Sequence, residues 1–511
     1  MKGLLLALLL PVTAAAAPSG SGERLPSRDR GPLPADRAPA VAGQFYPADP
    51  AELSRAVDTY LSQAKAPDRL PGPLMALVVP HAGYEYSAPV AAFGYKAVSG
   101  PYDTVVVIGA GHRSRVEAAG LYARGAFLTP LGRVPVDEAL AARLMKGSPD
   151  LFQDRPDAHQ GEHSIEVQLP FLIRRLKAGW KLLPVVMNTD DPRVCARAGE
   201  ALAAALKGRK ALIVASSDLS HYPPAATAEK VDRATLKALE RLDPEFFWLA
   251  NRVMMDRGER GLDTTWCGES AVLAAMAAAK ALGADRAVLL RYAHSGSAPA
   301  GDDRRVVGYA AAAMVRSGKP ASAEPLLDEA QKKSLLALAR RTVAEGAEGR
   351  RPEARLSDDP ALNLPAAVFV TLKERGQLRG CIGTTEPRAT LRDAVASAAW
   401  SAAFQDHRFP PVAKGEVDGL HLEVSMLSPA RPVPDAGKVI PGKHGVILSQ
   451  DGRSGLFLPQ VWEQIPDKDG FLSELCAQKA GLPRSCWKDP RTRIAVFTVA
   501  AFDEEKGGAP R

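Results

Sequence analysis

Four short apolar runs in this chain each close on a polar tip that carries a histidine. Leu77-Val-Val-Pro leads into His81-Ala-Gly-Tyr84, and Val106-Val-Ile-Gly-Ala-Gly into His112-Arg-Ser114. Ile213-Val-Ala-Ser-Ser leads to Asp218-Leu-Ser-His221, and Leu289-Leu-Arg-Tyr-Ala to His294. Continuous apolar runs belong to strands covered on both faces, and helical patterns fall between them at 164–176, 195–206 and 269–282. The pattern predicts an α/β fold, an open sheet with helices on both faces. In such sheets ligands collect where strand ends and helix N-termini converge. Four of the nine histidines fall at these tips. One alone would read as a core residue; four in equivalent places point to a site.

Cys267 stands in Asp263-Thr-Thr-Trp-Cys-Gly-Glu269, just ahead of a helical pattern. Unpaired N–H groups at a helix start favour a thiolate, so its pKa is expected to fall. Thiolate and imidazole together make a competent transition-metal site. The residues alone leave two other readings open: a small buried hydrophobe, or a disulfide partner of Cys195.

Gly43-Gln-Phe-Tyr-Pro47, Pro80-His-Ala-Gly-Tyr84, Glu162-His-Ser-Ile-Glu166, Ser217-Asp-Leu-Ser-His-Tyr222 and Cys267-Gly together resemble the Memo family, over about residues 39–316. That family is similar in fold to class III extradiol (LigB-type) non-haem iron dioxygenases. The resemblance implies one transition metal ion held by His81, His112 and Cys267, the cysteine standing where dioxygenases use a glutamate. It implies acid–base work or a further ligand role for His221, with Asp218 beside it. Glu162 and His163 would orient the ligands or line the pocket. The softer thiolate moves preference toward copper or zinc while still permitting iron; iron or copper is the expected ion, with zinc a further candidate.

In the second half, Leu378-Arg-Gly-Cys-Ile-Gly-Thr384 reads as a strand entering a glycine-rich turn, without the lysine of a phosphate loop. With segments 403–411, 422–429, 444–448 and 455–462 it resembles the AMMECR family over about residues 326–505, a smaller α+β unit. Memo-like and AMMECR-like proteins are parts B and A of the AmmeMemoRadiSam grouping, whose third member is a radical-SAM protein. The AMMECR family offers no reaction to carry over. Cys381 is a candidate nucleophile or redox thiol, with Glu423 or His421 on a neighbouring strand as base; a buried structural cysteine is an equal alternative. Cys476 and Cys486 flank a helix end and could pair locally after export.

The chain opens with Lys2, an apolar run over residues 3–10 and small residues at 13–17, the layout of a secretory signal. The expected organisation is a signal peptide at 1–17, a flexible lead-in at 18–38, the Memo-like domain at 39–316, a linker at 317–325, the AMMECR-like domain at 326–505 and a tail at 506–511. The apolar run at residues 3–10 is too short to span a bilayer and no other apolar run is long enough, so the mature protein is expected to be periplasmic or secreted, without a membrane span. Export sits awkwardly with a radical-SAM partner, whose iron–sulfur chemistry is normally intracellular; a small molecule or peptide is the expected ligand. Lys and Arg number 65 against 58 Asp and Glu, but the basic residues are scattered among acids and aromatics are 6%, so no nucleic-acid partner is expected. The leading functional reading is a metal-dependent oxidoreductase. The alternative is a non-catalytic metal- or peptide-binding module on a degenerate dioxygenase fold.

Overall fold

The structure, a computed structural model, describes residues 35–65, 70–319, 327–351 and 355–504. The expected signal segment, the lead-in up to residue 34, the linker from residue 320 and the tail lie outside them. Among the described residues no helix is long and apolar enough to cross a membrane.

Eight strands form the larger sheet, in the order Arg286–His294, Gly308–Val315, Leu74–Val79, Ala211–Ser216, Thr104–Ala110, Lys181–Asn188, Val116–Leu121 and Phe152–Asp154. The four strands from Leu74–Val79 to Lys181–Asn188 run parallel. Side chains alternate across a strand, so Thr104–Ala110 feeds two cores at once. Val106 and Ile108 pack with helices Pro192–Leu206 and Glu269–Ala281, while Val105 and Val107 pack with Pro50–Gln63 and Tyr84–Lys96. The chain thus builds the expected sheet with helices on both faces. Asp49 and Asp191 start two of these helices, each taking a backbone N–H of the first turn and each followed by proline, which fits the first helical position.

Short, mixed segments escaped the sequence reading. Asp36–Arg37 pairs with Ala126–Thr129, which pairs with Gly132–Pro135 in a separate three-stranded sheet. Asp36 and Arg37 fall in the stretch expected to be a flexible lead-in. They are instead built into the fold, because Arg37 is 2% exposed and its charge is met by Glu166. Cys195 and Cys267 are both free thiols, so the disulfide reading of Cys267 does not hold.

The second half is antiparallel. Gln377–Gly383, Pro365–Glu374, Leu420–Leu427 and Val499–Asp503 lie side by side, with helices Glu329–Ala347 and Leu391–Phe404 packed on one face. A second sheet orders Arg431–Val433, Arg493–Phe497, Gly445–Gln450 and Arg453–Phe457. The run at Gly380 and Cys381 is strand throughout rather than a glycine-rich turn. Its glycine answers to packing: a Cβ at Gly380 would stand 2.1 Å from the carbonyl oxygen of Ala402 in the covering helix. Cys476 and Cys486 form a disulfide. Arg257 pairs with Asp393 across the two halves, and Leu356 packs on Val231 and Met254.

Candidate metal centre

Three of the parallel strands deliver their C-terminal tips to one place. His81 follows Leu74–Val79, His112 follows Thr104–Ala110, and Ser217 to His221 follow Ala211–Ser216. Cys267 arrives from the opposite direction, two residues before helix Glu269–Ala281. The intervening Gly268 lets that helix start close to the strand end, since a Cβ there would lie 2.7 Å from the Ser216 carbonyl oxygen. Its N–H donates to Ser217 Oγ at 2.9 Å.

The result is a convergence of donor atoms. One ligand atom each from His81, His112 and Cys267 lie within 4.8 Å of one another. The same holds for Asp218, His221 and Cys267, and for His112, Glu162 and His163. His294 ends an edge strand and belongs to none of these groups among the described residues.

Both imidazoles are held by their far nitrogens. His81 Nδ1 lies 3.0 Å from Ser216 Oγ. That hydroxyl gives its proton to the Ser164 carbonyl at 2.6 Å and accepts from Gln168 Nε2 at 2.8 Å. Its remaining role toward His81 is acceptor, so the network assigns the ring proton to Nδ1 and the lone pair to Nε2, 3.1 Å from Cys267 Sγ. His112 Nδ1 meets Glu162 Oε1 at 3.0 Å, and a carboxylate can only accept, so Nε2 of His112 is free as well. Glu162 also takes the backbone N–H groups of His112, His163 and Ser164, each at 2.8 Å.

Burial and neighbouring charge set the protonation states. Burial pulls His112 down, but the hydrogen bond and charge of Glu162 outweigh it and its pKa is raised. Glu162 is held well below the usual carboxylate range: burial opposes this, and His112 and the Ser164 N–H prevail. Burial lowers His163 and His221 to about 4 and raises Asp218 to about 7. Cys267 departs from expectation. Its thiol is pushed up, first by burial and then by Asp218, and the Asp218 N–H donated to Sγ at 3.3 Å does not offset this. Desolvation and the Asp218 carboxyl outweigh the hydrogen bonds made to the sulfur.

His163 stacks on His112 with ring centroids 4.7 Å apart, and Phe45 packs on His163 at 4.8 Å. Phe45 also lines a cleft of about 530 Å³ walled by Tyr60, Tyr84 and Glu85. His221 Nε2 is buried without a hydrogen-bond partner. Ser216 and Gln168 went unremarked in the sequence; both adjoin or fall within the quoted motifs, and only pairing shows what they hold.

In the second half, Cys381 is half-buried and Thr371 Oγ1 donates to its sulfur at 3.3 Å. Neither expected base reaches it. Thr371 pairs with Cys381 on one side and Glu423 on the other, which sets those two strands about 10 Å apart. Glu423 is bound by Lys373 at 2.9 Å and His421 by Asp503 at 3.0 Å.

An open, doubly covered α/β sheet with imidazole, thiol and carboxyl groups gathered at its strand ends defines the class of this protein. The chain belongs to the Memo-like protein family and carries a C-terminal AMMECR1 domain. Residues 37–313 match the family described as Memo-like protein, and residues 336–502 match AMMECR1. Among its relatives, a MEMO1 family protein of Methanopyrus kandleri is 39% identical over 286 residues, 54% of this chain and 98% of that protein. One from Aquifex aeolicus is 36% identical over 276 residues, 53% of this chain and 97% of that protein. Among solved structures, an uncharacterized Pyrococcus horikoshii protein is 37% identical and covers 35% of this chain and 95% of its own, with a TM-score of 0.34. An uncharacterized Escherichia coli K12 protein is 12% identical and covers 47% and 100%, with a TM-score of 0.32.

Proposed function

We propose that the Memo-like half binds one transition metal ion through Nε2 of His81, Nε2 of His112 and Sγ of Cys267, and acts as a metal-dependent oxidoreductase on a small molecule or peptide. The observation that carries this reading is the convergence of these three donors within 4.8 Å, with each imidazole held at Nδ1. The donor set fits such an ion: nitrogen and sulfur ligands sit about 2.0–2.3 Å from a metal, and a buried, unpartnered His221 Nε2 stands by as a further group. Two imidazoles and a thiolate suit iron or copper, and also zinc. The bound ion would supply Lewis acidity and, as iron or copper, one-electron chemistry.

The remaining work belongs to the chain. Burial keeps His221 neutral near pH 7 and leaves its Nε2 without a hydrogen-bond partner, open to a hydrogen bond with a ligand or to the ion. Asp218, with its carboxyl near 7, can hold or release one at the same pH. Phe45 joins the two regions, packing on His163 beside His112 and also lining the cleft. In the AMMECR1 half, Cys381 is the proposed reactive thiol, with Thr371 on its sulfur.

We place the mature protein in the periplasm or outside the cell, on the segment at residues 1–17. The Cys476–Cys486 bond supports this, because disulfides persist in oxidising compartments. A radical-SAM partner would then be out of reach.

Metal analysis of the purified protein tests the site. Stoichiometric iron, copper or zinc in the wild type, lost in His81→Ala and Cys267→Ala, is the expected result; equal metal in all three would remove the proposed coordination. Oxygen consumption with candidate catechols tests turnover. Metal binding without it favours the alternative, a binding module.

A further inference from the structure

Arg37 lies outside every motif of the sequence, yet its guanidinium is one of the most connected groups near the metal centre. Nε donates to the His159 carbonyl at 2.8 Å, Nη2 to the Glu162 carbonyl, and Nη1 to Glu166 Oε2 at 2.8 Å. Glu166 is equally engaged. Its carboxylate accepts from the N–H groups of Ala40 at 2.7 Å and Val41 at 3.0 Å, and from the hydroxyl of Tyr46 at 2.6 Å. The two side chains are 2% and 0% exposed. A buried pair is tolerable when its other donors and acceptors are met; here a further bond from Nη1 to the Ala38 carbonyl at 3.3 Å brings four of the five guanidinium N–H groups, and both carboxylate oxygens, to a partner.

This pair joins two segments that reach the centre from different directions. On the 159–166 segment, Glu162 holds Nδ1 of His112, and the Ser164 carbonyl takes the proton of Ser216, which holds Nδ1 of His81. On the 40–46 segment, Phe45 packs against His163, which stacks on His112. The groups that orient both imidazoles therefore hang from one stretch of chain, and Arg37 grips that stretch at three points.

We infer that Arg37 and Glu166 are a positioning pair for the metal centre, fixing the 159–166 segment so that His81 and His112 both present Nε2 toward Cys267. The inference rests on the proposed metal site. It assigns the N-terminal strand a part in ligand geometry that a share in folding alone would not require.

The test uses the full-length protein and three variants. Arg37→Met with Glu166→Gln removes both charges together, so no buried ion is left unpaired. Arg37→Lys keeps the charge and loses the three-point grip. Leu144→Ala, in helix Glu138–Gly147 away from the centre, controls for lost stability. In metal-free protein, ¹⁵N-histidine spectra should show His112 protonated at Nδ1 in the wild type and in Leu144→Ala, and a mixture of tautomers in the double variant. Titration with Co²⁺, followed by its thiolate charge-transfer band, should be about 10–100-fold weaker in the double variant and in Arg37→Lys, the range for groups that orient metal ligands. Leu144→Ala should match the wild type. Unchanged tautomers and Co²⁺ affinity within twofold, beside a melting temperature lowered as in Leu144→Ala, would overturn the inference. If the wild type itself takes up no Co²⁺, the metal reading fails, and the histidine spectra still decide the positioning role.

Discussion

Nε2 of His81 and Sγ of Cys267 lie 3.1 Å apart although 186 residues separate them in the chain. Strand Leu74–Val79 and helix Glu269–Ala281 bring them together, and neighbouring hydrogen bonds aim each atom at the other. The orientation of these two groups is therefore open to mutation at residues outside the donor cluster.

Glu162→Gln should weaken metal binding about 10–100-fold while leaving the fold intact. The amide keeps one acceptor for His112 Nδ1, but its NH₂ must then face one of the N–H groups that Glu162 now accepts from. Competition with a chelator of known affinity measures the loss.

Stability should respond to pH in two opposed ways. Burial lowers His159 from 6.5 to about 4, so its contribution is full above about 6.5 and is lost as pH falls through about 4, where the unfolded chain already holds the proton. Burial raises Asp232 from 3.8 to about 7, so its contribution is full below 3.8 and is lost as pH rises through about 7. His159→Gln should approach the wild type by up to about 3 kcal/mol between pH 6.5 and 4. Asp232→Asn should gain on the wild type between pH 4 and 7. Urea unfolding across that range reads both signs.

Gly268→Ala should cost about 1–3 kcal/mol, because the added methyl meets the Ser216 carbonyl and must push the helix away from the strand end. Thermal unfolding measures the cost. Metal affinity should fall with it, since Cys267 moves with that helix.

Cys476→Ala with Cys486→Ala should lower stability by about 2–3 kcal/mol, the loop-closure value for a separation of 10 residues. The reductant dependence of wild-type unfolding should disappear in this variant.

Much of the architecture was legible because burial leaves a local mark. An uninterrupted run such as Val105 to Ile108 has no solvent face, and it predicted a strand covered on both sides. The glycines around Cys381 misled, since close packing against Ala402 and a tight turn both select glycine. Arg37 gave no signal at all, because its partner Glu166 lies 129 residues away.

The sequence by itself determined the doubly covered sheet and the histidine-bearing tips, since periodicity and strand ends are properties of neighbouring residues. Tertiary structure alone decided which nitrogen of His81 faces Cys267, that the Cys267 thiol is raised rather than lowered, and that Arg37 is buried against Glu166. Those outcomes depend on desolvation and on hydrogen bonds between distant segments, and both exist only once the chain has closed around them.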